Sequence, residues 1–183
     1  MTIQEFVKEG MKLEEAIELP FSTNEKFAPR NTILTDYHQL EDSVYFIRSG
    51  IMITSLLYKE EERILDFHFP NSFVGSYSSL LTKSPSDVRL KCYKDCDLEI
   101  INYTELLSTY KTSLLANQIG RMATEQLFLS RVTREKELLT MNAEERYQSL
   151  LKKNPELVKT IPVKELSKYL GIRPESLSRI RKG

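Results

Sequence analysis

Two histidines and two cysteines are all that this 183-residue chain offers of the side chains that most often hold transition metals. His38 and His68 stand apart with no H-x-H pair, which argues against a cupin-like centre of clustered imidazoles. Cys92 and Cys96 are too few for a four-thiolate site or a disulfide scaffold. They read as half-buried strand residues, with a thiol redox switch as the alternative. There is no G-x-S-x-G, no Walker loop and no G-x-G-x-x-G. No catalytic residue, metal or cofactor is therefore expected, and the chain does not read as an enzyme. Long apolar runs are missing too: none approaches the roughly 20 residues of a membrane span. The N-terminal M-T-I-Q-E-F-V-K-E-G lacks the basic start and apolar centre of a secretion signal. A cytoplasmic protein with no membrane partner is expected.

Net charge is the last absence. Lys plus Arg and Asp plus Glu both number 26, so the formal charge is zero, and 40% hydrophobic with 28% charged residues is an ordinary globular composition. The balance conceals an asymmetry. From Lys159 to Gly183 seven basic residues face two acidic ones, a net +5, which leaves 19 basic and 24 acidic residues before them, a net −5. An acidic body with a basic tail is the electrostatic footprint of a protein that carries a nucleic-acid-binding module.

That tail, Val163 to Lys182, reads V-K-E-L-S-K-Y-L-G-I-R-P-E-S-L-S-R-I-R-K. Leu166 and Leu170 share one face of a first short helix, and Leu177 and Ile180 share one face of a second. Gly171 between them suits a tight turn, because glycine alone enters the left-handed region cheaply. Pro174 suits the first turn of the second helix. This is the pattern of a helix-turn-helix, whose second helix enters the DNA major groove. Arg179 is able to grip guanine bidentately, Glu175 to accept from cytosine, and Ser178 is short enough to approach a base edge. The alternative is a solvated helix with an i,i+4 Glu–Arg pair worth a few tenths of a kcal/mol. Arg173, at the N-cap of the second helix, is a weaker cap than Ser or Thr.

E-S-L-S-R resembles the E-x-x-S-R signature of the Crp/Fnr family of bacterial transcription regulators, in its Fnr-like version. The resemblance implies that Glu175, Ser178 and Arg179 read bases, with Lys164, Ser176, Arg181 and Lys182 on phosphates. It implies a homodimer on double-stranded DNA, its half-sites about 34 Å apart. RNA polymerase and an unidentified small effector are further candidate partners. Family members continue into a β-hairpin wing after this helix, whereas Gly183 ends the sequence. The chain reads either as a cut member or as similar to the shorter, wingless regulators of Bacteroides-like bacteria. Fnr-like oxygen sensors bind an iron–sulfur cluster through several cysteines, mostly near the N-terminus, where this chain has none.

Upstream, Thr2–Glu18 has a helical pattern ended by Pro20, enough for one or two short helices. From Phe27 to Asn102 the period becomes that of strands. V-Y-F-I at 44–47, I-M-I-T-S-L-L-Y at 51–58, I-L-D-F-H-F at 64–69, V-R-L-K-C-Y at 88–93 and D-L-E-I-I-N at 97–102 are separated by turn residues. Their close spacing predicts an antiparallel barrel or sandwich. In 64–69 the alternation places Leu65, Phe67 and Phe69 inside and Asp66 and His68 in solvent. The strand order followed by F-x-x-x-F-V-G resembles the family's β-roll sensor domain. Members that bind cyclic AMP carry a Glu just after F-x-G and an Arg-Ser pair downstream. Here Ser76 follows Phe73-Val74-Gly75, and Ser86-Asp87 stand at the phosphate position. An anionic phosphate needs a positive partner or a set of N–H donors, and Asp87 repels it. The resemblance thus points to an effector pocket at Gly75, Ser76, Tyr77, Asp87 and Arg89 that does not take cyclic AMP. Ser76, Tyr77 and Ser78 capping a short helix is the alternative.

A helix is expected from about Thr112 to Leu139. Leu115, Ile119, Met122 and Leu129 follow a 3-4 spacing that suits a two-stranded coiled coil, and Leu114, Leu127 and Leu138 supply a second apolar face. One face is expected on the β-domain and one on a partner helix. Asn142 and Glu145 form a capping-box pattern for the next helix, and the connection 156–162 reads as no more than a turn. The expected fold class is α+β: an N-terminal antiparallel, jelly-roll-like β-roll (1–111), a central dimerisation helix (112–140) and a C-terminal helix-turn-helix domain (141–183). Two rival readings are a β-barrel that binds a small molecule or protein without DNA, and an iron- or haem-dependent sensor.

Overall fold

The apolar run V-Y-F-I is buried at every position because its strand is covered on both sides. The computed structural model describes residues 1–182, except for the side chains of Glu156 and Leu157. Eight strands run in order: β1 Asn24–Ala28, β2 Ile33–Thr35, β3 Ser43–Ser49, β4 Met52–Tyr58, β5 Glu61–His68, β6 Phe73–Val74, β7 Val88–Cys92 and β8 Cys96–Asn102. They form two antiparallel four-stranded sheets, β1-β8-β3-β6 and β2-β7-β4-β5. Successive side chains of a strand point to opposite faces, so β3 serves two cores. Tyr45 and Ile47 pack with Met52, Leu90, Cys92 and Leu98, while Val44 and Phe46 pack with Ile3, Val7, Leu106 and Ile119 of the flanking helices. These are the paired antiparallel sheets that the strand spacing predicted, in the α+β, β-roll arrangement that the resemblance implied.

The helices before the reading tail are α1 Ile3–Met11, α2 Tyr77–Thr82, α3 Tyr103–Tyr110, α4 Leu114–Thr140 and α5 Ala143–Lys153. Helix α1 opens on a capping box between Thr2 and Glu5 and stops at Lys12, which adopts the left-handed conformation (φ 56°). The helical pattern read as far as Glu18 is thus realised as one nine-residue helix. Its Phe6 meets Phe46 and Phe73 at ring-centroid distances of 5.3 and 5.6 Å, and Phe46 meets Phe73 at 4.9 Å. Each such pair adds about 0.5–1.5 kcal/mol beyond the area it buries. Glu99 of β8, only 5% exposed, accepts the Ile3 N–H at 2.9 Å and so ties the start of α1 to the sheet.

Gly50 closes the R-S-G turn with φ +94°, and a Cβ there would lie 2.1 Å from the Asp95 carbonyl oxygen. Only glycine fits that position. The expectation for His68 is corrected. It is buried (9% exposed) and its Nε2 lies 2.7 Å from Thr54 Oγ1. The strand is bulged at Leu65, since Thr54 pairs with Asp66 and Ser55 with Ile64, and beyond it Phe67 and His68, on opposite faces, are both buried. Cys92 and Cys96 are fully rather than half buried.

The chain divides into two compact units, Met1–Leu127 and Phe128 onward, with the division inside α4. In the second unit Asn142 and Glu145 form the capping box read from the sequence. The connection read as a turn is instead a helix, α6 Pro155–Thr160. Pro155 supplies a fixed φ for its first turn, and Val158 and the following Ile161 are buried with Tyr147 and Leu150.

Candidate functional site

The C-terminal pair is α7 Val163–Leu170 and α8 Pro174–Ile180. Leu166, Leu170 and Leu177 are fully buried, which fixes how the two helices cross. Gly171 takes φ +67° with open space where a Cβ would be, so the left-handed conformation alone demands glycine. Ile172 N–H donates to Ser167 O at 3.0 Å and Gly171 N–H to Lys168 O at 3.3 Å. That is the Schellman pattern, and it satisfies two of the four last carbonyls of α7. The other two are taken by arginines. Arg134 of α4 donates to Tyr169 O, its guanidinium 3.8 Å from the Tyr169 ring centroid, and Arg146 of α5 donates to Leu170 O at 3.1 Å. Two cations at a helix C-terminus also complement its dipole. No local pattern signals these two residues, since their partners lie 35 and 24 positions away.

On α8, Glu175, Ser178 and Arg179 recur at the i, i+3, i+4 spacing that shares one helical face, and Lys182 follows two residues past its end. Glu175, Arg179 and Lys182 are exposed and Ser178 is half-buried. The opposite side carries the buried Leu177. Arg181 follows Leu177 by one turn and is exposed, yet its guanidinium donates to Val158 O at 2.8 Å and lies 6.0 Å from the Tyr147 ring centroid. Lys164 on α7 is exposed and Ser176 half-buried. Arg173 stands at the N-cap of α8 without a side-chain cap bond.

The five effector-pocket candidates are not gathered into one cavity. Ser76 is 1% exposed and its hydroxyl meets that of Ser86 at 2.7 Å; it makes no cap bond to α2. Ser86 in turn donates to Val88 O at 2.7 Å. Asp87 is exposed and accepts from Ser78 at 3.3 Å. Arg89 alternates with Leu90 along β7 and therefore leaves the inter-sheet core. It pairs with Asp36 at 2.7 Å and Glu62 at 3.6 Å and lies over the Tyr37 ring at 4.5 Å. The Arg89 hydrogen bond holds the Asp36 carboxyl below its usual range. Gly75 is half-buried, with Ser43 O 3.4 Å from where its Cβ would stand. Tyr77 packs into the helix-side core.

What does reach the start of α2 is Glu41, which the sequence reading did not single out. Its carboxylate accepts from Thr35 Oγ1, from Ser76 N–H at 3.4 Å, from Asp42 and Ser43 N–H at 3.2 Å each, and from Tyr45 Oη at 3.3 Å. Burial, then the Glu41 charge, pushes the Tyr45 phenol well above its usual value, so it stays a donor. The chain's own carboxylate thus lies beside the Ser76–Ser86 pair.

Of the four coiled-coil candidates, Ile119 is buried and Leu115 and Met122 pack partly buried against the helix-side core. Leu129 alone is exposed (64%), in company with Leu114, Phe128, Leu138 and Leu139. The face read for a partner is largely the face that covers the protein's own sheet. Cys96 Sγ donates to Lys94 O at 3.2 Å, and its thiol is pushed up by the adjoining Cys92 and by burial, which keeps it protonated. Among the described residues no group of three or more His, Cys, Asp or Glu side chains is placed to hold a metal, and no helix is long and apolar enough to cross a membrane.

No known family model matches the chain. No curated protein matches it either. Solved structures do. CLP of Xanthomonas campestris, a c-di-GMP responsive global regulator, is 20% identical with a TM-score of 0.68, covering 87% of this chain and 85% of its own. FixK2 of Bradyrhizobium japonicum is 17% identical with a TM-score of 0.71, covering 88% and 84%. A protein of Eubacterium rectale described as a transcriptional regulator of the Crp/Fnr family is 16% identical with a TM-score of 0.71, covering 98% and 81%. At such identities the likeness concerns architecture, and the chain has the Crp/Fnr-like fold of a cyclic-nucleotide-binding-like β-roll, a long helix and a helical C-terminal region.

Proposed function

We propose that the chain is a cytoplasmic, homodimeric transcription regulator that binds double-stranded DNA through α8. The observation that carries this reading is the row Glu175, Ser178 and Arg179, its two charged members exposed, on one face of a helix whose other face is locked by Leu177, with exposed Lys182 just past its end. Glu175, Ser178 and Arg179 read base edges, the two charged ones with the donor and acceptor geometry that cytosine and guanine require. Lys164, Ser176 and Lys182 hold phosphates. Arg181 reaches one with the donors left free by Val158, since a guanidinium carries five. The arginine caps on α7 keep α8 in a fixed orientation, which base reading needs. Cyclic AMP is not the effector, because Glu41 and Asp87 oppose an anion at Ser76–Ser86 and Arg89 is already paired.

The test is selection of bound sequences from a random duplex pool, with affinity measured against salt. A two-fold symmetric site with half-sites about one helical turn apart and a steep negative salt slope is expected. Binding that is indifferent to sequence, or absent at low salt, would sink the reading.

A further inference from the structure

A pocket of about 470 Å³ opens beside the helix-side core, bounded by the outer face of β3 and β8 and by α2, α3 and the first half of α4. That volume lies within the range of small-molecule sites. Its walls are aromatic and aliphatic: Phe21, Phe73 and Leu106 together with the rings of Tyr77, Tyr103 and Tyr110. The three phenol hydroxyls have no hydrogen-bond partner among the described residues. Tyr103 and Tyr110 are close enough to raise the affinity of Tyr77 for a proton. Burial first, and those neighbours second, lift Tyr77 to about 12, and burial raises Tyr110 as well, so both present O–H donors. Half-buried phenols that line a cavity and lack a bonded acceptor are what a pocket able to take an oxygen atom looks like.

Three further observations narrow the ligand. Asn117 spends its amide N–H groups on Tyr110 O at 2.6 Å and Ser113 O at 2.9 Å, which leaves its carbonyl oxygen as an acceptor at the wall. Arg121 and Glu125 at the rim pair with each other at 3.7 Å, so their charges cancel and neither sign is favoured inside. Gly120 lets the Tyr110 ring lie against α4, since a Cβ there would stand 2.3 Å from the Tyr110 oxygen. Phenol donors and an amide acceptor lining one pocket match a hydroxyl, which both accepts and donates.

We propose that this pocket binds an uncharged, largely apolar small molecule bearing a hydroxyl group, and that it, not the Ser76–Ser86 pair, is the ligand site of the β-roll unit. The claim concerns residues before Phe128 and holds whether or not α8 meets DNA. A chain that fails to bind DNA and still binds the probe separates the two readings.

Calorimetric titration of the full chain with 1-octanol and with octanoate tests it. One saturable 1-octanol site per chain is expected, with octanoate at least tenfold weaker because the pocket has no spare cation. Ala123→Phe, which fills the pocket from α4, abolishes binding. Tyr77→Phe and Tyr110→Phe each weaken it about three- to tenfold, the net effect of one hydrogen bond. The phenylalanine variants decide the matter if Ala123→Phe loses its helical circular dichroism. No saturable 1-octanol binding overturns the proposal; so does octanoate binding as tightly, or affinity that ignores the tyrosine substitutions.

Discussion

Replacing Glu41 by Ala removes the acceptor that Thr35, Tyr45 and the Ser76 N–H share. These three residues are 2%, 6% and 1% exposed, so water does not readily replace the lost partner. A buried donor left unpaired costs about 1–3 kcal/mol. Thr35 and Tyr45 lie near enough to turn toward each other, which relieves part of the loss. The net expectation is therefore about 2–5 kcal/mol rather than the full sum. Glu41→Gln keeps one acceptor oxygen but points an amide N–H at groups that also donate, and falls between the parent and Ala. Urea unfolding, followed by circular dichroism and by the fluorescence of the nine tyrosines in a chain without tryptophan, reads the change. With m near 1–3 kcal/mol per molar, the midpoint falls by roughly 0.7–5 M. Both probes are needed because the chain has two compact units, and only coincident transitions license a single free energy. An Ala variant within 1 kcal/mol of the parent, at unchanged m, refutes the view that this carboxylate organises the start of α2.

Arg179→Ala is expected to weaken the selected DNA site by about 1–3 kcal/mol per half-site and to relax preference at one base pair, as read by competition binding against single-base variants. Arg146→Met removes a charged donor from both Met141 O and Leu170 O; it should destabilise the C-terminal unit by about 1.5–3 kcal/mol in thermal unfolding. Glu99 gives a pH signature. Burial raises its carboxyl above the usual value, against the opposing Ile3 N–H and Arg48. The folded pKa thus exceeds the unfolded one, so its stabilising contribution is complete below the unfolded value and is lost as pH rises through the folded one. Glu99→Gln keeps an acceptor for Ile3 and cannot ionise. It should be at least as stable as the parent at pH 7, with the advantage vanishing toward pH 4; an advantage that grows on acidification contradicts the assignment. Phe128→Glu, at a site 66% exposed, should leave the fold intact and shift the sedimentation mass from dimer toward monomer.

Much of the fold could be read directly from side-chain order, and the reason is locality. Asn142 and Glu145 cap α5 because the partners are three residues apart, and Gly171 ends α7 because its own backbone angle requires glycine. The strand run at 44–47 announced itself through continuous apolar character, since both faces of β3 are covered. His68 was misread because the strand is covered on both faces there, Phe67 and His68 both being buried, and nothing local marks that. Arg134, Arg146 and Glu41 escaped notice for the same cause: each acts on groups that only the folded chain brings near.

Helix α4 shows why periodicity finds a face but not its neighbour. Leu115, Ile119 and Met122 have the spacing of a coiled-coil seam, and a helix laid on a sheet needs the same spacing. The choice belongs to the surface opposite. Here β3 and β8 present Phe46 and Ile101 on a face that no other strand covers, and leaving it wet would forfeit about 1.5–3 kcal/mol for each large side chain. That demand claims the seam for the protein's own core. What is left outside, Leu114, Phe128, Leu129, Leu138 and Leu139, is more apolar surface than one exposed helix ordinarily carries. A homodimer is therefore better argued from these five residues than from the seam that first suggested it, because only exposed apolar area gains by meeting a second copy.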